Sequence, residues 1–391
     1  MQLALPPDLA AFQLQLRDFF ENQVPMRLRE PFLSGARLER DWVVGTHQVL
    51  FEAGIAVPHW PVEWGGKPWT PLQRHIWSEE LYRAGVFPPL SSNTHLVGPV
   101  LLAFGTEEQK RRFLPPTASC DIFWAQGFSE PEAGSDLASV RTTAVLDGDE
   151  WVVNGQKTWT SLAHMSDWIF CLVRTDPDAP KRQQGISFLL VDLKSPGITV
   201  RPIRLIDGDA EVNEVFFDNV RVPADQLVGE VNKGWDYAKY LLGNERVSVA
   251  QIGHTKLRLT QAKRFAQERL ADGSALIDDR AVAMRLAELE VQLAALEVTA
   301  LRVVGESADG KPDPASSVLK LRGTQLLQDV VAFVLDLAGG DALAAEADDG
   351  SGITAWARRA AAFHLNTRKV SIYGGSNEIQ RGIIASSVLG L

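Results

Sequence analysis

Cysteine is scarce in this sequence: 391 residues contain only Cys120 and Cys171, each among apolar neighbours. Two thiols in so long a chain cannot form a disulfide framework, and neither has a second cysteine at metal-ligand spacing. Both are therefore expected to be small buried residues. Long hydrophobic runs are missing as well, since no stretch reaches the ~18 consecutive apolar residues of a membrane-spanning helix. The opening Met1-Gln2-Leu3-Ala4-Leu5-Pro6-Pro7 has no basic segment and meets proline before a secretory core can form, which points to a cytoplasmic location. Positive charge is in deficit: 39 Lys and Arg face 49 Asp and Glu, a formal net charge of -10. A nucleic-acid binder concentrates positive charge on one face, so that class is disfavoured.

Familiar catalytic signatures are absent too. There is no Gly-x-Gly-x-x-Gly after a strand, no Walker loop, no His-Glu-x-x-His and no Gly-x-Ser-x-Gly. The seven histidines are scattered, with no i,i+4 pair able to chelate a metal, and no metal site is expected. Nicotinamide, nucleotide-hydrolysing, zinc and serine-hydrolase chemistries are thereby disfavoured. What the chain does have is the balance of a globular protein, 45% hydrophobic and 23% charged residues. Its length suits two to four domains of about 100–200 residues each.

The pattern along the chain is helical, then β, then helical. Apolar residues Leu9, Phe12, Leu16, Phe19 and Phe20 recur at helical spacing after Pro7, and further helices are expected over 41–53, 73–84 and 97–104. The segment from Pro58 to Gly66 is dense in Pro, Trp and Gly and reads as a loop. From about residue 122 the texture changes to short β-branched and aromatic runs: 151–155, 168–173, 185–192, 212–217 and 220–223. Turns at Asp147-Gly148-Asp149 and Asp207-Gly208-Asp209 fit between them. A small barrel or sandwich is expected there. Beyond Gly234, residues Val282, Leu286, Leu289, Leu293, Leu296, Ala300 and Val303 alternate four and three apart, the seam of a long bundle helix. Helices are also expected over 314–337, 354–371 and 376–389, with 341–352 as an exposed connection. The fold class is thus α+β and multidomain. A helical domain spans 1–121, a β-barrel or sandwich 122–232, and a C-terminal four-helix bundle 233–391.

Three segments are candidates for chemistry, each with a plain structural alternative. Ser129-Glu130-Pro131-Glu132-Ala133-Gly134-Ser135-Asp136 gathers hydroxyls and small residues where backbone N–H groups can approach an anionic or electron-rich ring, and is equally an interdomain turn. Lys157-Thr158-Trp159-Thr160-Ser161 places an aromatic among hydroxyls at a strand end, to face a flat cofactor or to fill a core. Ile372 to Arg381 carries Gly374-Gly375 and Ser376-Asn377, a C-cap followed by an N-cap, which does not exclude a ligand at the new helix's start.

Taken together and in order, these segments resemble the acyl-CoA dehydrogenase family of flavoproteins across essentially the whole chain. The matching marks are Phe128-Ser129-Glu130-Pro131-x-Ala133-Gly134-Ser135-Asp136, Asn154-Gly155-Gln156-Lys157-x-Trp159, Val220-x-Val222-Pro223 and Ile372-Tyr373-x-Gly375-Ser376-x-Glu378-Ile379-Gln380-Arg381. Within the family, Thr94-His95-Leu96-Val97-Gly98-Pro99-Val100, Gly253-His254 and Glu211 to Phe217 resemble pimeloyl-CoA dehydrogenase large subunits and steroid side-chain acyl-CoA dehydrogenases.

The resemblance implies FAD as cofactor and α,β-dehydrogenation of an acyl-CoA thioester in lipid catabolism. A carboxylate removes the α-proton while hydride leaves the β-carbon for flavin N5. Many members place that Glu directly after the motif tyrosine, where this chain has Gly374. Others place it on an early helix of the C-terminal bundle, and the matching position here is Glu245. The resemblance therefore implies Glu245 as base, with Gly374 offering a backbone N–H to the thioester oxygen. It also implies Phe128, Ser129, Gly134, Ser135, Trp159, Ser161, Ser376 and Glu378 around FAD. Ser135, Arg246 and Tyr373 would lie on the substrate side. Electron-transfer flavoprotein is the implied acceptor. Two family features are missing: an Arg-x-x-Phe-Gly segment within 264–275, and a Gln before Gly339-Gly340. Relatives with such losses pair with a second subunit, so the assembly is expected to be either a homotetramer or an α2β2 heterotetramer. A partner subunit without chemistry of its own is the alternative reading, and Gly374 is its best argument.

Overall fold

The computed structural model describes residues 5–244, 250–268, 272–306, 315–343 and 355–391. Helices come first: α1 (Pro7–Asn22), α2 (Met26–Ser34), α3 (Arg40–Glu52), α4 (Pro71–Arg83), α5 (Gly98–Phe104) and α6 (Glu107–Ala118). Pro7 opens α1 at a position where its missing N–H has no partner to lose. Thr70 with Gln73 and Thr106 with Gln109 form reciprocal capping boxes that start α4 and α6. The unforeseen element is α2, since Pro31 inside it reads as a breaker. The helix is short, and only one intrahelical bond is lost there.

The middle of the chain forms β1 (Trp124–Gly127), β2 (Thr143–Asp147), β3 (Glu150–Ser161), β4 (Trp168–Arg174), β5 (Ile186–Asp192), β6 (Ile198–Ile203) and β7 (Val212–Pro223). They make one seven-stranded sheet in the order β1-β4-β2-β3-β7-β6, with β5 added to β4. The expected turn at Asp147-Gly148-Asp149 closes the β2–β3 hairpin, with Gly148 at φ 65°. β4 and β5 are buried on both faces, which explains their unbroken apolar sequences. One face, with Ile169, Cys171, Val173, Leu189 and Val191, packs against Val153, Val215, Phe217 and Val220 of β3 and β7. The other, with Phe170, Leu172, Phe188 and Leu190, packs on α5, α6 and the helix that follows the sheet. Strands distant in the sheet order share one core, so the sheet curls over itself. The β domain expected in the middle of the chain is this single curled sheet, a half-barrel.

After the sheet come α7 (Gly234–Asn244), α8 (Ile252–Gln267), α9 (Arg280–Glu306), α10 (Ser316–Ala338), α11 (Ala355–Arg358), α12 (Ala360–Asn366) and α13 (Asn377–Ile383). The seam read from the sequence is the buried face of α9: Leu286, Leu289, Leu293, Leu296, Ala300 and Val303 all lie in the core with Leu319, Leu326 and Val330 of α10. Most of the connection expected over 341–352 lies outside the described residues.

Packing divides the chain into two compact units. One comprises Met1–Arg37, Trp69–Pro88 and Arg246–Leu391; the other comprises Leu38–Pro68 and Pro89–Glu245. The first is helical, with α1, α2 and α4 beside α8 to α13. The second holds α3, α5, α6, the sheet and α7. Cys120 and Cys171 are buried free thiols, each pushed up to about 12 mainly by burial. Among the described residues no helix is long and apolar enough to cross a membrane.

Candidate active site

In the unit built on the sheet, β1 leads directly into Phe128 and Ser129. Phe128 is buried edge-on against Phe170 and Phe188, at centroid distances of 5.8 and 6.2 Å. Glu130 and Ala133 then exchange backbone hydrogen bonds at 3.0 Å, closing a tight loop that leaves Gly134 and Ser135 exposed. Space around Gly134 is open, with nothing within 4 Å of where a Cβ would lie.

The loop is tied to β3 by charge. Lys157 is fully buried, and its ammonium donates to Glu130 Oε1 at 2.7 Å, to the Leu172 carbonyl at 2.6 Å and to the Phe128 carbonyl at 3.3 Å. Three acceptors match its three N–H groups, the condition for a buried ammonium to be tolerated. The Glu130 carboxylate also accepts from the backbone N–H of Arg141 at 2.6 Å and of Thr142 at 3.0 Å. Burial alone would raise its pKa, but the Lys157 charge and these donors prevail and hold it below the ordinary carboxylate value. A further bond, from Thr158 N–H to Ser129 O at 2.9 Å, brings the first two candidate segments together. The roles of Glu130 and Lys157 were not foreseen. The signal was available, because a lysine at a buried phase of an alternating strand needs a counter-charge.

β3 carries a register irregularity against β7 between Lys157 and Thr160. Buried positions are 151, 153 and 157 up to its start, then 158 within it and 160 at its end, so the alternation reverses inside the irregularity. Trp159 is consequently turned outward, 59% exposed, with φ at 58°. A left-handed conformation costs a residue with a Cβ about 1–2 kcal/mol. Ser161, two residues on, is also exposed, while Thr160 Oγ1 is buried without a hydrogen-bond partner.

In the helical unit, Tyr373 is partly exposed, and Gly374 and Gly375 follow with φ of 64° and 81°. Ser376 caps α13 by accepting from the Ile379 N–H at 3.3 Å, the capping role read from the sequence. Glu378 is exposed beside Arg381 at 3.2 Å, and its own backbone N–H, more than any other group, holds its carboxyl below the ordinary range. Asn377 is buried, and its Oδ1 accepts from Lys320 Nζ at 3.1 Å and Thr324 Oγ1 at 3.2 Å. Burial lowers Lys320 to about 8, against the opposing pull of the Glu378 carboxylate. Glu245 and Arg246 lie outside the described residues; α7 ends at Asn244, immediately before them.

Helices, a curled sheet and helices again, with an aromatic turned outward on the sheet, make the three-part arrangement that the resemblance implies. Family models describing the N-terminal, middle and C-terminal domains of acyl-CoA dehydrogenases match residues 6–121, 125–220 and 232–389. Acyl-CoA dehydrogenase IpdE1 of Mycobacterium tuberculosis is 42% identical over 346 residues, covering 88% of this chain and 87% of that protein. Among solved structures, the ChsE4-ChsE5 complex from the same organism aligns with a TM-score of 0.85 at 32% identity, over 100% of this chain and 99% of that one. A steroid acyl-CoA dehydrogenase, Tcur3481-Tcur3483, aligns at 0.88 with 29% identity, covering 100% of this chain and 99% of the other. The chain belongs to the acyl-CoA dehydrogenase family, whose members are FAD-dependent in general.

Proposed function

We propose that this chain binds FAD and converts an acyl-CoA thioester to its trans-2-enoyl thioester, with Glu245 removing the α-proton. The observation that carries the cofactor reading is Trp159, an indole held outward at a strained backbone beside the orphaned Thr160 hydroxyl. The donor set of this unit fits FAD: the half-buried Ser129, the exposed Ser135 and Ser161, and the open cradle at Gly134. Phe128, Ser129, Gly134, Ser135, Trp159, Ser161, Ser376 and Glu378 are the residues proposed to hold it. When bound, FAD supplies the acceptor for the hydride that leaves the β-carbon.

The rest falls to the chain's own residues. Glu245 takes the proton from the α-carbon, the role of a carboxylate general base. The Gly374 N–H donates to the thioester oxygen, where negative charge gathers as the α-proton leaves. Ser135, Arg246 and Tyr373 orient the thioester. The boundaries 1–121, 122–232 and 233–391 are proposed as the functional division of the chain. We further assign it to the cytoplasm, with electron-transfer flavoprotein as acceptor. The assembly proposed is an α2β2 heterotetramer rather than a homotetramer, because segments 264–275 and 336–340 lack the family's cofactor-clamping residues and both solved relatives named above are two-protein complexes. A long, dicarboxylic or ring-bearing acyl group is favoured over a very short one, since glycine rather than glutamate at 374 removes bulk.

The test is spectroscopic. The purified protein, alone or with its partner subunit, should show a flavin absorption spectrum that bleaches anaerobically on addition of a ring-bearing acyl-CoA. A colourless protein after supply of FAD and partner would overturn the proposal. Trp159→Gly should leave stability within about 1 kcal/mol, because relief of left-handed strain offsets the entropic cost of glycine. Flavin bleaching should nonetheless slow at least tenfold; stopped-flow absorbance beside a thermal melt reads both.

A further inference from the structure

Gly374 and Gly375 form the turn to which the thioester oxygen is assigned above. Two consecutive glycines are the least constrained dipeptide a chain can contain. A donor to a developing oxyanion acts by being aimed before the reaction begins, so a loose turn would forfeit most of its effect.

The turn is pinned on both sides. Before it, the backbone N–H groups of Ile372 and Tyr373 both donate to the Lys369 carbonyl, at 2.9 and 3.1 Å. After it, the Gln380 side chain reaches back from α13. Its amide nitrogen donates to the Gly374 carbonyl at 3.1 Å and to the Gly375 carbonyl at 3.4 Å. A carbonyl only accepts, so the nitrogen of the amide is the atom that faces both. Gln380 is buried while the two glycines are exposed, which places the clamp beneath the turn with both carbonyls drawn inward. In a planar trans peptide the N–H points opposite to its carbonyl, so the Gly375 and Ser376 N–H groups point away from Gln380. Gly374 is left between two fixed peptide groups, with φ at 64°. Among the described residues its N–H has no acceptor.

Two further observations separate this clamp from plain packing. A Cβ at Gly375 would lie 2.7 Å from the Gln380 amide nitrogen, so any other residue there would push the amide off its carbonyls. Gln380 Oε1 is buried with no hydrogen-bond partner among the described residues, a cost that an apolar side chain filling the same space would not carry. The base of the clamp is also fixed, because Asn377 ties α13 to Lys320 and Thr324 of α10. We infer that Gln380 is a positioning residue for the dehydrogenation: it orders the Gly374-Gly375 turn so that the Gly374 N–H meets the thioester oxygen as the α-proton leaves. Gln380 acts through the backbone and touches neither substrate nor cofactor.

This inference rests on the dehydrogenase reading above, and the test separates the two. Gln380→Met keeps the length of the side chain and removes both donors. Gly375→Ala disturbs the same contact from the turn's side. Both are compared with wild type, with FAD content and melting temperature measured. The probe is an acyl-CoA with oxygen in place of the β-carbon and carbon-13 at the thioester carbonyl, which can lose an α-proton but no hydride. In wild type its bound carbonyl stretch should fall below the solution frequency in an infrared difference spectrum. Gln380→Met should lose most of that shift, and exchange of the α-protons with D2O should slow by about 10–100-fold. With an oxidisable ester kcat should fall in parallel and KM change little. Gly375→Ala should behave alike, which keeps the test open if one variant folds poorly. Wild-type proton exchange in Gln380→Met, or slow exchange with the carbonyl shift intact, would overturn the inference and leave the dehydrogenase standing. Failure of wild type both to exchange the α-protons and to bleach with any ester would remove the dehydrogenase reading, and the inference with it.

Discussion

Glu245→Gln is expected to slow substrate-driven flavin bleaching by about 10²–10⁴-fold or more, the usual contribution of a positioned general base. The amide matches the carboxylate in size but cannot take a proton, so FAD content, substrate affinity and melting temperature should stay near wild type. The argument for this residue is one of exclusion within a shared chemistry. An α-proton of a thioester does not leave without a base, and the position after Tyr373 offers only Gly374. That glycine sits at φ 64°, a conformation that Gly adopts freely and Glu adopts only at a cost. Stopped-flow mixing under anaerobic conditions reads the rate directly. Bleaching in Glu245→Gln at the wild-type rate would remove Glu245 from the mechanism, and would favour a chain whose chemistry is completed by another subunit.

Much of the architecture was legible because burial leaves periodic traces. The α9 seam and the apolar runs of β4 and β5 were plain, since helix packing and two-sided burial repeat over many residues. Edge and short strands were less visible: β1, β2 and β6 were not anticipated. β6 has mostly exposed or half-exposed residues and no apolar run to betray it. Helix α2 was hidden by Pro31.

The candidate site divided in the same way. Its three segments were found through composition and resemblance, but their geometry was not. Whether Trp159 filled a core or faced outward could not be read from alternation, because the irregularity in β3 reverses the alternation at that residue.

The second large effect concerns the Glu130–Lys157 pair. Lys157→Met should destabilise the protein by about 3–5 kcal/mol, since it strands a buried carboxylate and removes donors from the Phe128 and Leu172 carbonyls. In a thermal melt followed by circular dichroism this corresponds to a fall on the order of 10 °C. Glu130→Gln should cost less, because an amide oxygen at the Oε1 position still accepts from Lys157 and from the Thr142 N–H, while only the Arg141 N–H, now facing the amide NH2, loses its acceptor. The double variant should be less damaged than the sum of the singles, since neither charge is then left alone. The sign of the pH dependence follows from Glu130. Its folded-state pKa lies below the ordinary value, so its charge contributes fully above that ordinary value and the contribution is lost as pH falls through the folded one. Wild type and Glu130→Gln should therefore differ most near neutrality and converge on acidification; a gap that stays constant down to acid pH would mean the charge itself contributes nothing. Because the same ammonium holds the Phe128 carbonyl in place, Lys157→Met should also release FAD more readily than its stability loss alone predicts. Flavin fluorescence during dilution at a temperature well below the melt separates the two effects.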